Sequence, residues 1–339
     1  MKEAILWKKV GNKKVQCLLC ARNCVIEEDN TGICKVRKNI GGKLFSLNYG
    51  KLIAVNIDPI EKKPFFHFYP GSVSLSIASA GCNFFCFYCC NYDISQIYHD
   101  GQKEVVGENY KPEDVVNFAL VNNCSSISYT YTEPTIFFEF ARDTGILARK
   151  KGLKNNFVTN GYLTEEAIKE AKKFLDAAVV DIKGCLDPNF YLKYVKVPKV
   201  EPILDAIKAL HENGIWVEIT NLVVPKIGDK IKYFKNFVKW LVEEVSDEIP
   251  LHILRFFPTY KLNYLPETPV EKLEKMFDIA KELGVKYVYL GNVLGHKYES
   301  TYCPNCNELL IKRHGFYIDK INLKDRKCPN CGEKINIIL

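Results

Sequence analysis

Three closely spaced cysteines form the part of this chain best suited to redox chemistry. Cys82, Cys86 and Cys89 have the spacing C-x3-C-x2-C and follow residues 73–78, in which apolar and small side chains alternate. The alternation predicts a strand, which places the three thiols in a loop at its carboxyl end. Iron–sulfur clusters are normally held by four thiolates, so a group of three leaves one iron open to another ligand. A zinc knuckle or a thiol redox group would also use closely spaced cysteines.

Two further groups contain four cysteines each, of 14 cysteines in the chain. The start of the chain lacks a signal-peptide core, so we expect a cytoplasmic protein with reduced thiols, in which clustered cysteines indicate metal binding. The group near the C-terminus has two C-x2-C knuckles, which predict structural zinc in a tail with little core of its own. The first group, C-x2-C-x3-C-x9-C, is less regular and fits zinc or an auxiliary iron–sulfur cluster. The two groups are Cys17, Cys20, Cys24 and Cys34, and Cys303, Cys306, Cys328 and Cys331.

The composition is that of a globular protein. Of 339 residues, 47% are hydrophobic and 26% are charged, and 47 basic against 40 acidic residues give a net charge of +7. The charges are mixed along the chain, so this excess does not by itself indicate nucleic-acid binding. No run of about 18 apolar residues occurs, and we therefore expect no membrane span and no membrane partner.

Strand and helix patterns alternate through the middle of the chain. We expect strands at 73–78, 126–130, 177–182, 216–224, 251–256 and 286–290, with a further strand ending at Thr159. The intervening helices are expected at 112–121, 134–150, 202–211, 231–242 and 270–283, with another capped by Thr164.

This order predicts an α/β fold with a parallel sheet, a partial or full (β/α) TIM-type barrel, and an open doubly wound sheet is the alternative. We expect a Cys-rich N-terminal module at 1–70, the barrel at 71–298 and a zinc ribbon at 299–339.

Polar residues gather where the predicted strands end, which is where α/β barrels place their active sites. Taken singly, such a residue is often a helix cap or a turn residue. Their common position at the same end as the cysteine loop favours one shared site. The candidates are Thr132, Glu133, Thr159, Asn160, Asp181, Lys183, Glu218, Thr220, His252 and Arg255.

The cysteine spacing, with Tyr88 just before the third cysteine, resembles the radical SAM superfamily. The resemblance implies that Cys82, Cys86 and Cys89 hold a [4Fe-4S] cluster whose open iron binds the amino and carboxylate groups of S-adenosylmethionine (SAM). It further implies reductive cleavage of SAM to a 5′-deoxyadenosyl radical that abstracts hydrogen from a substrate. A reductant such as ferredoxin or flavodoxin would supply the electron.

The core is similar to the branch of this superfamily that includes pyruvate formate-lyase activating enzyme. Asn91 and Asp93 resemble its Asn-x-Asp. Residues 131–134, 159–161 and 181–183 resemble its Gly-Gly-Glu-Pro, Thr-Asn-Gly and Asp-Leu-Lys motifs, respectively. In that branch the equivalents of Asp93 and Asp181 bind a monovalent cation, whereas Val158 stands here where an activase would supply another Asp. The resemblance implies SAM contacts from Tyr88, Thr132, Glu133, Thr159, Asn160, Asp181, Lys183 and His252.

The chain as a whole resembles the radical SAM member of the AmmeMemoRadiSam system. The segment from Asp58 to Pro64, residues 287–293 and the two outer cysteine groups carry this likeness. It implies Memo-like and AMMECR-like protein partners but no particular substrate. The favoured hypothesis is an activase-like action on a protein or peptide. The alternatives are a small-molecule substrate, or an RNA-binding or RNA-modifying role through the basic zinc ribbon. Cys185, at a strand end, is a further candidate to face the substrate.

Overall fold

Short antiparallel strands build the N-terminal part of the protein. The computed structural model describes residues 1–339, and β1, β5 and β6 form one small sheet while β2, β3 and β4 form another. The strands are Lys2–Glu3 (β1), Trp7–Lys9 (β2), Val15–Cys17 (β3), Val25–Ile26 (β4), Arg37–Ile40 (β5), Lys43–Ser46 (β6) and Lys51–Leu52 (β7).

Eight strands form the central sheet. The strands that follow in the chain are Ala54–Pro59 (β8), Val73–Ala78 (β9), Glu108–Asn109 (β10), Ser126–Tyr129 (β11), Lys154–Thr159 (β12), Ala177–Lys183 (β13), Trp216–Val223 (β14), Leu251–Arg255 (β15) and Val288–Gly291 (β16). The short β10 pairs with β7, outside the sheet. The sheet order is β16-β15-β14-β13-β12-β11-β9-β8, and all neighbours are parallel except β8 and β9. The sheet thus curls into a partial barrel with β8 and β16 as its edges.

The helices lie between the parallel strands, as expected for right-handed β/α crossovers. Thr164 caps the fourth helix by accepting a hydrogen bond from the backbone N–H of Ala167. None of the helices is long and apolar enough to cross a bilayer. The helices are Tyr92–Ser95 (α1), Pro112–Val121 (α2), Phe138–Lys150 (α3), Glu165–Ala171 (α4), Pro188–Phe190 (α5), Glu201–Glu212 (α6), Ile231–Glu244 (α7) and Val270–Glu282 (α8).

The predicted fold class is confirmed, with one correction to the expected module boundary. The expected strands and helices between 73 and 291 are present with ends shifted by at most a few residues. Residues 54–59, however, pair antiparallel with β9 and belong to the central sheet rather than to an N-terminal module ending at 70. A buried ion pair joins the N-terminal sheets to α3: Arg37 donates from Nη1 and Nη2 to both carboxylate oxygens of Glu139 at 2.8 Å.

The segment between β8 and β9 fills the lower interior of the half-barrel. Phe65, Phe66 and Phe68 are buried there. The carboxylate of Glu218 on β14 accepts hydrogen bonds from the backbone N–H groups of Phe66 (2.9 Å) and His67 (2.8 Å). We call residues 60–69 the inner segment. It lies where a closed barrel would pack side chains from its own strands.

The C-terminal part covers the inner segment. It contains Thr301–Tyr302 (β17), Leu309–His314 (β18) and Tyr317–Ile321 (β19), which form a three-stranded antiparallel sheet. Arg313 donates from Nη2 to the carbonyl of Phe66 at 2.8 Å, and Ile338 forms a parallel bridge with Phe68. The terminal residues are therefore joined to the barrel interior through the inner segment.

The buried imidazole of His67 makes the stability of this junction depend on pH. Its Nδ1 lies 2.5 Å from the carbonyl of Asn336, which can only accept, so Nδ1 carries the hydrogen and Nε2 accepts from the Tyr289 hydroxyl at 2.5 Å. Burial lowers the pKa of His67 from 6.5 to about 4, although the neighbouring Glu218 carboxylate favours the charged form. Between these values the unfolded chain binds more protons than the folded chain, so stability is lost as the pH falls.

We expect the pH dependence of unfolding to change when His67 is replaced. Lowering the pH from 7 to 4 should remove about 3 kcal/mol of unfolding free energy from the wild type through His67 alone. A His67→Gln variant should be less stable at pH 7 and should lack this part of the acid loss, as measured by urea unfolding at several pH values. The exposed His211 provides the control, His211→Gln. Parallel pH profiles for wild type and His67→Gln would contradict the prediction.

Candidate functional site

The predicted cysteine loop opens into a cavity at the carboxyl ends of the central strands. The cavity has a volume of about 400 Å³, and its wall includes Cys82, Cys86, Cys89 and Tyr88 from the loop after β9. The other predicted residues in its wall come from the ends of β11, β12 and β13: Thr132, Glu133, Thr159, Asn160, Asp181 and Lys183. Residues that are far apart in sequence thus meet because parallel strands end at one edge of the sheet.

The three thiols suit a group that accepts thiolate ligands. Burial raises the pKa of Cys82 and Cys89 and raises that of Cys86 to about 12, so the thiols ionise only when a bound cation compensates their charge. Their sulfur atoms are not all within 4.8 Å of one another. A single zinc ion would need sulfurs about 3.8 Å apart, whereas an iron–sulfur cluster binds its thiolates at separate irons. The donor set and its spacing therefore fit a cluster with one open iron.

An acid–base pair from β13 lies across the cavity from the cysteines. Lys183 donates to Asp181 Oδ2, and Thr220 on β14 donates from Oγ1 to Asp181 Oδ1 at 2.5 Å. Burial disfavours the charge of Lys183, but the Asp181 carboxylate outweighs burial and raises the Lys183 pKa. The pair therefore presents a fixed anion and a fixed cation to a ligand in the cavity.

The carboxylate of Glu133 joins two of the loops at the strand ends. It accepts hydrogen bonds from the backbone N–H of Asn160 (2.8 Å), from Thr159 Oγ1 (2.8 Å) and from both the backbone and the hydroxyl of Thr135. Burial raises the pKa of Glu133, and these four donors oppose that shift. Asn160 Nδ2 in turn donates to Asn83 Oδ1 at 2.6 Å, next to Cys82. Glu133 therefore positions the loops, and through Asn160 it also supports the cysteine loop.

Two lysines in the cavity wall are not predicted by the sequence patterns. Lys62 and Lys63 reach it from the inner segment, and Lys63, which is 2% exposed, lies 2.7 Å from Asp58 Oδ2. Burial lowers the pKa of Lys63 to about 8, although Asp58 favours its charge. Tyr131 donates to the same Asp58 carboxylate, and the Lys63 ammonium lies 4.2 Å from the Tyr131 ring centroid. The segment from Asp58 to Pro64 carries part of the family likeness, but its residue pattern does not indicate that it enters the barrel.

Several predicted residues lie outside the cavity wall. His252 and Glu218 face the same side of the sheet but lie deeper, where His252 Nε2 is 2.9 Å from Glu218 Oε2 and both pack beside the inner segment. Arg255 forms an ion pair with Glu267 at 2.8 Å, and Asp93 is exposed on α1. Thr220 acts through its hydrogen bond to Asp181.

Cys185 is packed rather than open to the cavity. It is fully buried in a turn with φ 59°, and its backbone N–H donates to Asn221 Oδ1 at 3.0 Å. In contrast, Cys90 is exposed and belongs to the cavity wall. A strand-end position in the sequence could not distinguish these two orientations.

The C-terminal cysteines form a compact four-thiol group. The sulfur atoms of Cys303, Cys306, Cys328 and Cys331 all lie within 4.8 Å of one another. The Cys303–Cys331 and Cys306–Cys328 sulfur pairs are both 3.6 Å apart. Four sulfurs at this spacing fit a single tetrahedral ion.

Comparisons with known proteins agree with this geometry. The model of the Radical SAM superfamily matches residues 76–241. An uncharacterized protein of Methanocaldococcus jannaschii is 46% identical over 341 residues, which covers 100% of both chains. A GTP 3′,8-cyclase of Limosilactobacillus fermentum is 23% identical and covers 76% of this chain and 78% of its own. The crystal structure of a radical SAM methyltransferase from Sphaerobacter thermophilus has a TM-score of 0.50 at 13% identity, covering 66% of this chain and 68% of that one.

The chain belongs to the radical SAM superfamily. Membership implies an enzyme with a [4Fe-4S] cluster and SAM, and the matched region contains both the cysteine loop and the strands whose ends line the cavity.

Replacing Glu133 with glutamine should loosen the strand-end loops. A glutamine has one acceptor oxygen, so its amide nitrogen would face either the Asn160 N–H or the Thr159 and Thr135 donors. We expect Glu133→Gln to lower the free energy of unfolding of the metal-free chain by about 1–3 kcal/mol, measured by urea denaturation. The control is Glu271→Gln at an exposed position on α8, which should change stability little. Equal stabilities for the two variants would contradict the role given to Glu133.

Proposed function

We propose that this protein cleaves SAM reductively at a cluster bound by Cys82, Cys86 and Cys89 and abstracts hydrogen from a protein or peptide substrate. The observation that carries the proposal is the convergence of three cysteine thiols and the Asp181–Lys183 pair on one cavity at the strand ends. When bound, the cluster and SAM supply a one-electron cleavage that generates a 5′-deoxyadenosyl radical. A low-potential carrier such as ferredoxin or flavodoxin is the proposed reductant.

The residues around the cavity bind and orient SAM in this proposal. Asp181 accepts from the ribose hydroxyls or the amino group, and Lys183 donates to the carboxylate. The backbone of Thr132 and the side chain of Asn160 supply further polar contacts. Tyr88, which is 5% exposed and stacks on Phe190, provides an aromatic wall for the adenine. Fixing these groups holds the reacting carbon close to its target and keeps water away.

Exposed apolar side chains around the site favour a protein or peptide substrate. Large hydrophobic side chains are exposed on the segments that follow β9, β13, β15 and β16, at the same end of the sheet as the cavity. A protein or peptide substrate would cover these apolar side chains on binding. They are Tyr92, Leu192, Phe257, Tyr264 and Leu294.

The likeness of the whole chain to the AmmeMemoRadiSam member supports further parts of the proposal. Memo-like and AMMECR-like proteins are the proposed partners on that basis. The 3.6 Å sulfur spacings at Cys303–Cys331 and Cys306–Cys328 support structural zinc in the C-terminal part.

Removing the cluster ligands should abolish SAM cleavage. We expect the Cys82→Ala/Cys86→Ala/Cys89→Ala variant, reconstituted anaerobically with iron and sulfide and then reduced, to form no 5′-deoxyadenosine above background. Cys124→Ala is the control, because Cys124 is buried and lies outside the three cysteine groups. Formation of 5′-deoxyadenosine by the triple variant at the wild-type rate would refute the assignment.

Loss of the Thr220 hydroxyl should weaken SAM binding without removing the cluster. Thr220→Val keeps the shape of the side chain but deletes the hydrogen bond to Asp181, which is worth about 0.5–1.5 kcal/mol. We expect the Kd for SAM, measured by equilibrium dialysis, to rise about 2- to 10-fold with an unchanged iron content. Thr144→Val is the matched control, since Thr144 is equally buried and its hydroxyl has no hydrogen-bond partner. An unchanged Kd in Thr220→Val would show that Asp181 needs no support from Thr220.

A further inference from the structure

The spacing of the cysteine sulfurs separates the three groups into two kinds. The C-terminal group has all four sulfurs within 4.8 Å, as a tetrahedral zinc site with sulfurs about 3.8 Å apart requires. No three sulfurs of Cys17, Cys20, Cys24 and Cys34 meet this limit, and the same holds for Cys82, Cys86 and Cys89. The N-terminal group, like Cys82, Cys86 and Cys89, is therefore less compact than the C-terminal group.

The four N-terminal cysteines nevertheless converge. Cys17, Cys20, Cys24 and Cys34 all belong to the wall of one small cavity between the N-terminal strands and the barrel.

The same cavity is surrounded by buried hydrogen-bond donors that lack acceptors. Arg22 Nη2, Arg37 Nε and Asn83 Nδ2 have no partner, and all three residues line the cavity. Arg37 is 3% exposed and Asn83 is 1% exposed, so water does not satisfy them from outside. An unsatisfied buried donor costs about 1–3 kcal/mol, so these three donors favour a ligand at the site that supplies acceptors. Inorganic sulfides of an iron–sulfur cluster are additional acceptors, whereas zinc brings none.

The cavity also shares a wall with the SAM site. Asn83 follows Cys82 directly, and Arg22 donates from Nε to the carbonyl of Asn83 at 3.1 Å. Cys20 forms an antiparallel bridge with Leu163, shortly after Asn160 of the larger cavity. The N-terminal cysteines therefore lie against the back of the loop that holds the SAM cluster.

We propose that Cys17, Cys20, Cys24 and Cys34 bind a second [4Fe-4S] cluster rather than zinc. Four thiolates close all four irons of this cluster, so it has no open position for SAM. Arg22, Arg37 and Asn83 donate hydrogen bonds to its sulfurs, and the Arg37 guanidinium, already paired with Glu139, lies beside its negative charge. The C-terminal cysteines remain the zinc site.

Metal analysis of two cysteine variants tests this assignment without depending on SAM cleavage. Full-length wild type, the Cys82/Cys86/Cys89→Ala variant and a Cys17/Cys20/Cys24/Cys34→Ala variant are reconstituted anaerobically with ferrous iron and sulfide and freed of unbound metal. We expect about eight, four and four irons per chain, respectively, with an equal amount of sulfide and about one zinc in each. The Cys82/Cys86/Cys89→Ala variant, once reduced, should show a [4Fe-4S] electron paramagnetic resonance signal that SAM does not change.

The opposite metal content would overturn the proposal. About two zinc ions and no iron in the Cys82/Cys86/Cys89→Ala variant would assign zinc to the N-terminal group, whatever the SAM cleavage assay shows. If a variant fails to fold, the wild type alone decides, because eight irons with one zinc support the second cluster and four irons with two zincs exclude it. Cys124→Ala, which should keep the wild-type metal content, controls for the loss of a buried thiol.

Discussion

The carboxylate of Glu218 is the group on which the arrangement of the barrel interior depends. A half-barrel leaves its inner face open, and here that face is filled by a chain segment rather than by the strands alone. Glu218 accepts the backbone N–H groups of Phe66 and His67 and the indole N–H of Trp216, and it contacts His252, so one buried charge has four partners. Burial disfavours the charged carboxylate, but His252 and these amides outweigh it and lower the Glu218 pKa. The inner segment is thereby fixed, with Lys63 directed toward the cavity and Phe68 beside Ile338 near the C-terminus.

The charged residues of the cavity are paired before any ligand binds. Lys63 pairs with Asp58, and Lys183 pairs with Asp181, while the Glu133 carboxylate is stabilised by hydrogen bonds from neutral donors rather than by a cation. Buried charges need such partners because their desolvation is costly. A charged ligand must therefore compete for groups that are already oriented, which favours ligands with both an anionic and a cationic end. SAM, with its carboxylate and amino groups, has this character.

Thiol spacing distinguishes metal sites that have similar cysteine counts. In the C-terminal part, sulfurs in contact leave room for a single ion, and the knuckles stabilise a small sheet that holds the inner segment through Arg313. The cysteines beside the barrel stand farther apart and line cavities that also contain polar side chains. The cysteine groups therefore differ in their surroundings, since the compact group lies in the small C-terminal sheet while the other two line cavities beside the central sheet.

The sequence by itself determined the alternation of strands and helices, the strand that precedes the cysteine loop, and the polar residues at the ends of β11, β12 and β13. These features depend on local periodicity, on caps such as Thr164, and on the spacing of cysteines, all of which can be read within a few residues. Only the tertiary structure decided how deep each inward residue lies. Asp181 and His252 face the same side of the sheet, but the inner segment covers His252 and leaves Asp181 open to the cavity.

The same dependence on tertiary contacts explains why the sequence did not predict the positions of Lys63, Cys185 and β8. Lys63 reaches the site because residues 60–69 enter the barrel, Cys185 turns into the core, and residues 54–59 extend the sheet as an antiparallel edge. Each of these outcomes depends on contacts between segments far apart in sequence. No local pattern records which segment will fill the open side of a half-barrel, because the energy of filling it comes from the packing of the whole interior.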